Sequence, residues 1–331
     1  MNRKIRSIAV ITVTGILLIA VCIRFVLLPL MNRYDNNSNY NPALKVSDNI
    51  NRLDIDMTAF TELEFPGYAH AQALCESLGY GNYSITLNQY DAFRDAGVNY
   101  DAKIEHGKLK YLSEDFYKTP PFGILRDGLV FDSTDNGKTT AAGSNTSGDK
   151  EYINELKALP ETSDAKVYVS FKNDIPMSQV MAMTEKYSTI TFLWFAVRCR
   201  DDDPLLLPQF GFALSDECVL DNEVDKKKYP DFSLTGENPL STAMLEAHFK
   251  SIVQYLYDQD KFINLIDSPA DGQNSNTRLG LSQALGYIKK NGVKSYGCIV
   301  MGSCSDILNL RKDNTVNNIL IDDVKLSSYS H

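Results

Sequence analysis

The sequence predicts an α+β protein behind one N-terminal transmembrane helix. Three observations predict it: an uncharged apolar run near the N-terminus, a following segment in which apolar and polar residues alternate, and two strand–helix–strand patterns in the C-terminal half. The chain has 331 residues, so enough remains after the apolar run for two domains with cores of their own.

The N-terminal run Ser7–Ile23 contains no charge, and Phe25–Leu30 continue it after Arg24. A membrane-spanning helix needs about 17–25 residues, and the long side chain of Arg24 can reach toward lipid headgroups. We therefore predict a tail at residues 1–7 and an uncleaved transmembrane helix at 8–30. A cleaved secretory leader is the alternative, disfavoured because no small-x-small site follows the run.

Basic residues surround this helix unevenly. Arg3, Lys4 and Arg6 precede it, whereas Arg24 and Arg33 lie at its far end. The positive-inside rule then places the N-terminus in the cytoplasm and the rest of this single-pass protein outside the cell membrane. Seven residues cannot form an interface of useful area, so we expect the functional parts to be extracytoplasmic.

The part after the helix is acidic, since residues 31–331 hold 29 basic and 42 acidic side chains, a net charge of −13. This charge argues against nucleic acid as a partner, because neutralising phosphates provides most of that affinity. Five cysteines follow the helix at irregular spacing. Cys199 and Cys218 are candidates for a disulfide, but buried free thiols are favoured.

After the helix, an Asn-rich segment at 31–50 is predicted to be a polar spacer that lifts the folded part off the membrane. A β-rich domain at 51–133 follows, with strands "YSITLNQY", "AKIE" and "KLKYL" and a hairpin turn at His106-Gly107. The stretch "YAHAQALCESLGY" is ambiguous between helix and strand. Residues 134–148, rich in Ser, Thr and Gly, are predicted to be a flexible linker.

The second domain, 149–326, contains two βαβ patterns, and 327–331 form a tail. "AKVYVSF", a helix from Pro176 and "ITFLWFAV" make the first; "SYGCIV", "SCSDILNLRK" and "VNNILIDDVKL" make the second. Helices between them are predicted from two apolar stripes, and Gly292 closes the second helix. A duplicated, ferredoxin-like domain with a helical insertion is the simplest arrangement. "TFLWFAV" is apolar on both faces, so inserted helices, the first domain or a partner must cover it.

Several of these stretches resemble the sigma factor regulators, membrane proteins of Gram-positive bacteria. The similarity covers "FTELEFPGY" and "GYGNYSITL", then "VYVSF…ITFLWFAVR", "LEAHFKSIVQYL", "GYIKKNGVKSYGCIVMGSCSDILNL" and "ILIDDVKL". It implies a strand at "GYAHAQALCESLGY" and regulation of a sigma factor by analogy with anti-sigma factors. In such proteins a cytoplasmic segment can hold the sigma factor. The chain has only "MNRKIRS" there, which argues against direct contact and favours action through another membrane protein.

Catalytic and metal-binding patterns are weak. Asn136–Thr140 lack the first glycine of a phosphate loop, and the four histidines have no metal-ligand spacing, so we predict no cofactor and no metal site. A reactive pair of Cys304 and His248 is disfavoured against buried structural roles. The acidic stretch Arg200–Pro204 lacks the pattern of a calcium loop.

The candidate interaction residues lie on or near the ends of core strands. They are Trp194, Arg198, Tyr296, Asp322 and Asp323. Structural charge pairs at the sheet end are the competing interpretation. The main hypothesis is a non-enzymatic membrane regulator that works through protein contacts. The alternatives are a cell-envelope ligand-binding module or enzyme, and a paralogue that lost its cytoplasmic part.

Overall fold

The fold is described from a computed structural model. The residues it describes are 3–113, 146–160, 162–201, 209–214, 220, 222–234, 240–267 and 276–326; side chains at 3–10, 35–37 and 146–149 are excepted. Cys218, the phosphate-loop-like segment 136–140, most of the predicted linker 134–148 and the predicted tail 327–331 lie outside the described residues. The last part of that linker forms the start of a helix.

The N-terminal segment is one nearly continuous helix. Its parts are α1 (Arg3–Cys22), a π-helical turn (Ile23–Leu27) and α2 (Leu28–Ser38). Within it, Ile11–Tyr34 form a run of 24 residues that is long and apolar enough to cross a membrane, and none of its most apolar window is buried by the rest of the protein. The predicted helix at 8–30 is confirmed as a helix.

A helix that the sequence analysis missed comes next, α3 (Arg52–Glu64). Asn51 begins it, since the Asn51 backbone N–H donates to Asp54 Oδ2 at 3.0 Å, a reciprocal capping arrangement. The helix is buried on most sides, including at Asp56. A helix covered all round shows no clear apolar stripe, which explains why the pattern did not predict it.

The first sheet is antiparallel, in the order β1 (Tyr68–Gly79), β2 (Asn82–Asp91), β3 (Ala96–Glu105), β4 (Lys108–Leu112). The hairpin at His106-Gly107 is confirmed. Both residues have positive φ angles, 49° and 74°, as a two-residue turn of this kind requires. The ambiguous stretch is strand β1, as the family resemblance implies.

The second sheet contains five strands, all antiparallel to their neighbours, in the order β7-β6-β8-β5-β9. The elements in chain order are α4 (Thr146–Ala158), β5 (Asp164–Pro176), α5 (Met177–Lys186), β6 (Thr191–Val197), β7 (Gly211–Phe212), α6 (Thr242–Asp258), α7 (Asp260–Asp267), α8 (Thr277–Asn291), β8 (Lys294–Ser303), α9 (Cys304–Leu310) and β9 (Val316–Lys325). Every predicted strand and helix of this half is present. Ser303 Oγ accepts from the Asp306 N–H at 3.1 Å and so caps α9, as its spacing predicts.

Both faces of the second sheet are covered. One face contributes Val167, Phe195 and Val300 to a core that also holds α6 and the buried face of the first sheet. The opposite face forms a smaller cluster around Tyr168 and Trp194. The first and second predicted domains therefore pack directly against each other.

The polar segment 31–50 also packs against the folded part instead of lifting it off the membrane. Tyr40 is 6% exposed, and Lys261 Nζ donates to the Asn39 carbonyl oxygen at 3.2 Å. Lys45 and Asn51 form a short backbone bridge. These contacts hold the chain just after the N-terminal helix against α7 and the start of α3.

Candidate interaction surface

Four of the five candidate interaction residues lie at opposite ends of the second sheet, and Trp194, aligned with Ile299, lies between them. The strand register aligns Lys166 of β5 with Met301 and Asp323, whereas Ile175, at the other end of β5, aligns with Ser295. Asp322 and Asp323 thus lie at one end of the sheet, and Arg198 and Tyr296 at the other. Arg198 and the two aspartates are therefore too far apart to form a charge pair with each other.

Arg198 is held by a neighbouring acid and a ring. Its guanidinium donates Nε and Nη2 to the two carboxylate oxygens of Asp174, both at 2.9 Å. It lies 4.5 Å from the centre of the Tyr296 ring, in cation–π contact. The Tyr296 hydroxyl donates to Gln209 Oε1. A bidentate pair of this kind fixes the guanidinium in one orientation.

Trp194 connects the second sheet to the first domain. The indole is 1% exposed, and its Nε1–H donates to the Glu62 backbone oxygen, near the end of α3, at 2.7 Å. Gly67 lies beside Lys166 and Leu193 at the same junction. The first domain thus covers part of this apolar face, and the inserted helix α6 packs in the core on the opposite face, so two of the three possibilities that the sequence left open contribute.

Asp322 and Asp323 form two ion pairs near this contact between the second sheet and the first domain. Asp322 lies 2.9 Å from Lys166 Nζ, whose side chain is 6% exposed and also lies over the Tyr68 ring. Arg94 Nε donates to Asp323 Oδ2 at 2.8 Å. Burial raises the pKa of Tyr68 to about 12, so this phenol stays neutral between the acids.

Glu62 connects α3 to α6 and to the residue after β7, and no sequence pattern indicated these contacts. Its Oε1 lies 2.7 Å from His248 Nε2 and accepts from the Ala213 N–H at 3.1 Å. The other ring nitrogen, Nδ1, contacts the Asp231 carbonyl oxygen at 2.9 Å. His248 is fully buried. His248 therefore has the buried structural role that the sequence favoured, because both of its ring nitrogens contact other groups of the protein.

Cys199, Cys298 and Cys304 are also buried. Burial raises the pKa of the Cys304 thiol, which opposes formation of a reactive thiolate. Burial likewise raises the pKa of Cys199 to about 12, and Cys199 is a free thiol. Neither residue has the environment of a nucleophile.

A second buried cluster, which no sequence pattern indicated, surrounds Asp56. The Tyr40 and Tyr255 hydroxyls both donate to its carboxylate at 2.6 Å, and Arg52 Nη1 donates to the Tyr255 oxygen at 3.4 Å. Burial raises the pKa of Asp56 to about 6, against the opposing effect of the two hydroxyls. This Asp56 cluster joins three segments that are far apart in the chain.

The spaces among the described residues differ in size, and an open cleft of about 470 Å³ borders Cys199, Asp201 and Tyr287. A cavity of about 20 Å³ lies beside Arg198 and Tyr296, room for about one water molecule. An open cleft of about 290 Å³ borders Tyr40, Arg52 and Lys261. Among the described residues, no three His, Cys, Asp or Glu side chains are arranged to hold a metal ion.

Comparison with known proteins points to one family. Residues 156–323, about half of the chain, match the family model "Sigma factor regulator C-terminal". The "Probable anti-sigma-M factor YhdL" of Bacillus subtilis (strain 168) is 23% identical over 171 residues. That region is 52% of this chain and 42% of the relative, so the chain spans about two fifths of its relative's length.

No solved structure matches the chain. The matched region runs from the end of α4 to Asp323 and contains the second sheet except the last two residues of β9, the inserted helices and all five candidate residues. The stretches on which the sequence resemblance depends lie largely inside it. The chain belongs to the family of sigma factor regulators that carry this C-terminal domain.

Proposed function

We propose that this chain is a single-pass membrane-anchored regulatory or sensory protein of anti-sigma type, with its folded part outside the cell. The family match over 156–323 is the observation that carries the proposal. The similarity to a relative named as a probable anti-sigma factor supports the same role.

The N-terminal helix supports the anchoring. The side chains of Ile11–Leu30 face away from the folded part, and Ile11, Phe25 and Leu30 are 71%, 69% and 59% exposed. In water such a surface would be unfavourable, whereas lipid accommodates it. Tyr80 contacts Met31 and Asn32, which connects the last turns of the helix to the fold and supports an uncleaved anchor over a removed leader.

The orientation is proposed from charge. Arg3, Lys4 and Arg6 on the N-terminal side favour a cytoplasmic N-terminus. The two sheets follow the helix in the chain and would then be extracytoplasmic. A sigma factor acts in the cytoplasm, so the state of the folded part would be passed to another membrane protein.

We propose that contact with this partner is by surface and not by catalysis. The small cavity beside Arg198 and the buried thiol of Cys304 support this, because neither offers a substrate site with an activated group. The partner would contact polar groups left accessible at the sheet ends, with Asp323 (side chain 30% exposed) and Arg198 (15%) as candidates. Tyr296 would support Arg198 at one end, Asp322 would hold the chain beside Asp323 at the other, and Trp194 would hold the middle of the sheet against the first domain.

We also propose that the second sheet is a ferredoxin-like duplication. The strand order β6-β8-β5-β9, with α5 after β5 and α9 after β8, supports two βαβ units whose strands interleave. The edge strand β7 and helices α6 to α8 would be the insertion.

The regulatory role is tested by deleting the gene and measuring sigma-dependent transcripts in the native host. We expect one sigma factor's set of transcripts to change, and the full chain to restore it when supplied in trans. An unchanged transcript profile, with altered binding of a wall component or small molecule instead, would support the envelope-binding alternative.

A further inference from the structure

Two hairpin turns of the first sheet lie against the end of the apolar helix. We call Gly79–Gly81 and His106–Gly107 the hairpin tips. The Tyr80 backbone N–H donates to Asn32 Oδ1 and its hydroxyl to Met31 Sδ. The second tip lies beside the first, since the His106 and Tyr80 rings are 5.9 Å apart, edge to face.

The second tip also contacts the chain just after the helix. A Cβ atom built on Gly107 would lie 2.5 Å from the side chain of Asn39, so only glycine allows this approach. Both tips are therefore fixed at the level of the last helical turns.

This level corresponds to the lipid headgroups if the helix spans a bilayer. The twenty residues from Ile11 to Leu30 rise about 30 Å, the thickness of the hydrocarbon layer. Met31 and Asn32 then lie at its edge. Arg33 and Tyr34 follow and are exposed, and both are residue types that anchor a helix at the membrane–water interface.

The side chains around the tips suit this environment. Leu78, next to the first tip on edge strand β1, is 54% exposed. His106 and Lys108 are exposed at the second tip. Exposed apolar side chains beside an aromatic ring and a cation are the combination that enters a headgroup layer.

We propose that the hairpin tips rest on the outer lipid surface, with Leu78 entering the headgroup layer. The folded part is thereby held against the membrane at a fixed height, with no free spacer between them. This inference rests on the proposed membrane anchoring. It also orients β1 to β4, because the opposite ends of these strands lie farthest from the lipid.

Tryptophan fluorescence in vesicles tests the contact. Trp194 is the single native tryptophan and is 1% exposed, so it contributes a nearly constant background. Full-length chains carrying Leu78→Trp or Asn99→Trp are reconstituted in phosphatidylcholine vesicles with brominated acyl chains. Asn99 is a matched control, exposed on the same sheet but about 20 Å along β3 from its tip at about 3.3 Å per residue.

We expect quenching of Leu78→Trp to exceed that of Asn99→Trp at least about twofold, because only the first lies at headgroup level. Equal quenching of both, or of neither, in chains that float with the vesicles would overturn the contact while leaving the anchoring intact. Chains that stay in the aqueous fraction would overturn the anchoring and the inference together. Leu78→Ser provides a second readout: without the apolar side chain that enters the headgroup layer, the access of a water-soluble quencher to Tyr80→Trp should rise.

Discussion

The two sheets of this protein differ in how many of their faces are covered. The first sheet buries one face, with Ile85 and Leu87 against α3, and leaves Ser84 and Lys103 on the other face exposed. The second sheet buries residues on both faces: one face shares a core with α6 and the first sheet, and the other, around Trp194, contacts the first domain. Because both faces of the family-matched sheet are buried, we place the proposed partner contacts at its ends and edges.

The largest expected effect tests the covered face of the second sheet. Trp194→Ala should destabilise the protein by about 3–5 kcal/mol, because it creates a cavity and leaves the Glu62 carbonyl oxygen without its indole donor. Ser84→Ala, on the exposed face of the first sheet, should change stability by less than about 0.5 kcal/mol. Denaturant unfolding of the two variants measures both. Similar losses of stability in the two variants would show that these two sheet faces are buried to the same degree, against this comparison.

The adjacent aspartates of β9 sharpen the comparison. Asp322→Ala leaves the buried Lys166 ammonium without that carboxylate and should cost about 3 kcal/mol. Adding Lys166→Met should recover most of the loss. Asp323→Ala is the matched control: its partner Arg94 is 66% exposed, so the cost should be under about 1 kcal/mol. Chemical denaturation of the two single variants and the double variant decides whether the junction contains a buried charge pair.

The Asp56 cluster predicts a pH dependence. The folded pKa of about 6 lies above the ordinary value of 3.8, so the folded state holds its proton more tightly. The contribution of Asp56 to the free energy of unfolding is greatest below about pH 4. It falls as the pH rises to about 6 and does not change further above that pH. The total change is on the order of 2–3 kcal/mol.

Asp56→Asn should remove this pH dependence of the free energy of unfolding, which denaturant unfolding at pH 4, 5 and 7 measures. Asp54 is the control on the same helix. Burial opposes its ionisation, but hydrogen bonds from His70 and the Ala73 and Asn51 N–H groups lower its pKa. The contribution of Asp54 to the free energy of unfolding is therefore present at neutral pH and lost on acidification. This pH dependence has the opposite sign to that of Asp56. An unchanged slope in Asp56→Asn would contradict the assignment.

The smallest effect concerns the first sheet. Gly107→Ala forces a side chain into a positive-φ position and against Asn39, at a cost of about 1–2 kcal/mol. Asn39→Ala should relieve part of it in the double variant, because the crowding is then removed while the backbone strain remains. Thermal unfolding of the single and double variants separates the two contributions.

Local patterns predicted most of the elements. Alternation predicted β2 to β4, and the apolar stripe of Leu245, Phe249, Ile252 and Leu256 predicted α6, where all four are buried. The C-terminal cap at Gly292 and the capping serine at Ser303 also follow from nearest-neighbour chemistry. These features depend on residues a few positions apart, which a sequence displays directly.

What could not be predicted depends on residues far apart in the chain. Helix α3 is buried on most sides, so its apolar residues show no single stripe. The contacts between Glu62 and His248 and between Asp56 and Tyr255 join residues 186 and 199 positions apart. The same is true of the candidate residues: the sequence located Arg198 and Asp322 at strand ends, but only the strand order shows that these are opposite ends.

Copurification from membranes tests the central claim, that the folded part acts by contact with a membrane partner. The tagged full-length chain is crosslinked in intact cells and purified from solubilised membranes, beside an Arg198→Ala, Asp323→Ala variant whose folded state is checked by thermal unfolding. We expect one membrane protein to be recovered with the native chain and depleted with the folded variant, and deletion of that protein should change the same sigma-dependent transcripts. Recovery of the chain alone, with those transcripts unaffected, would contradict it.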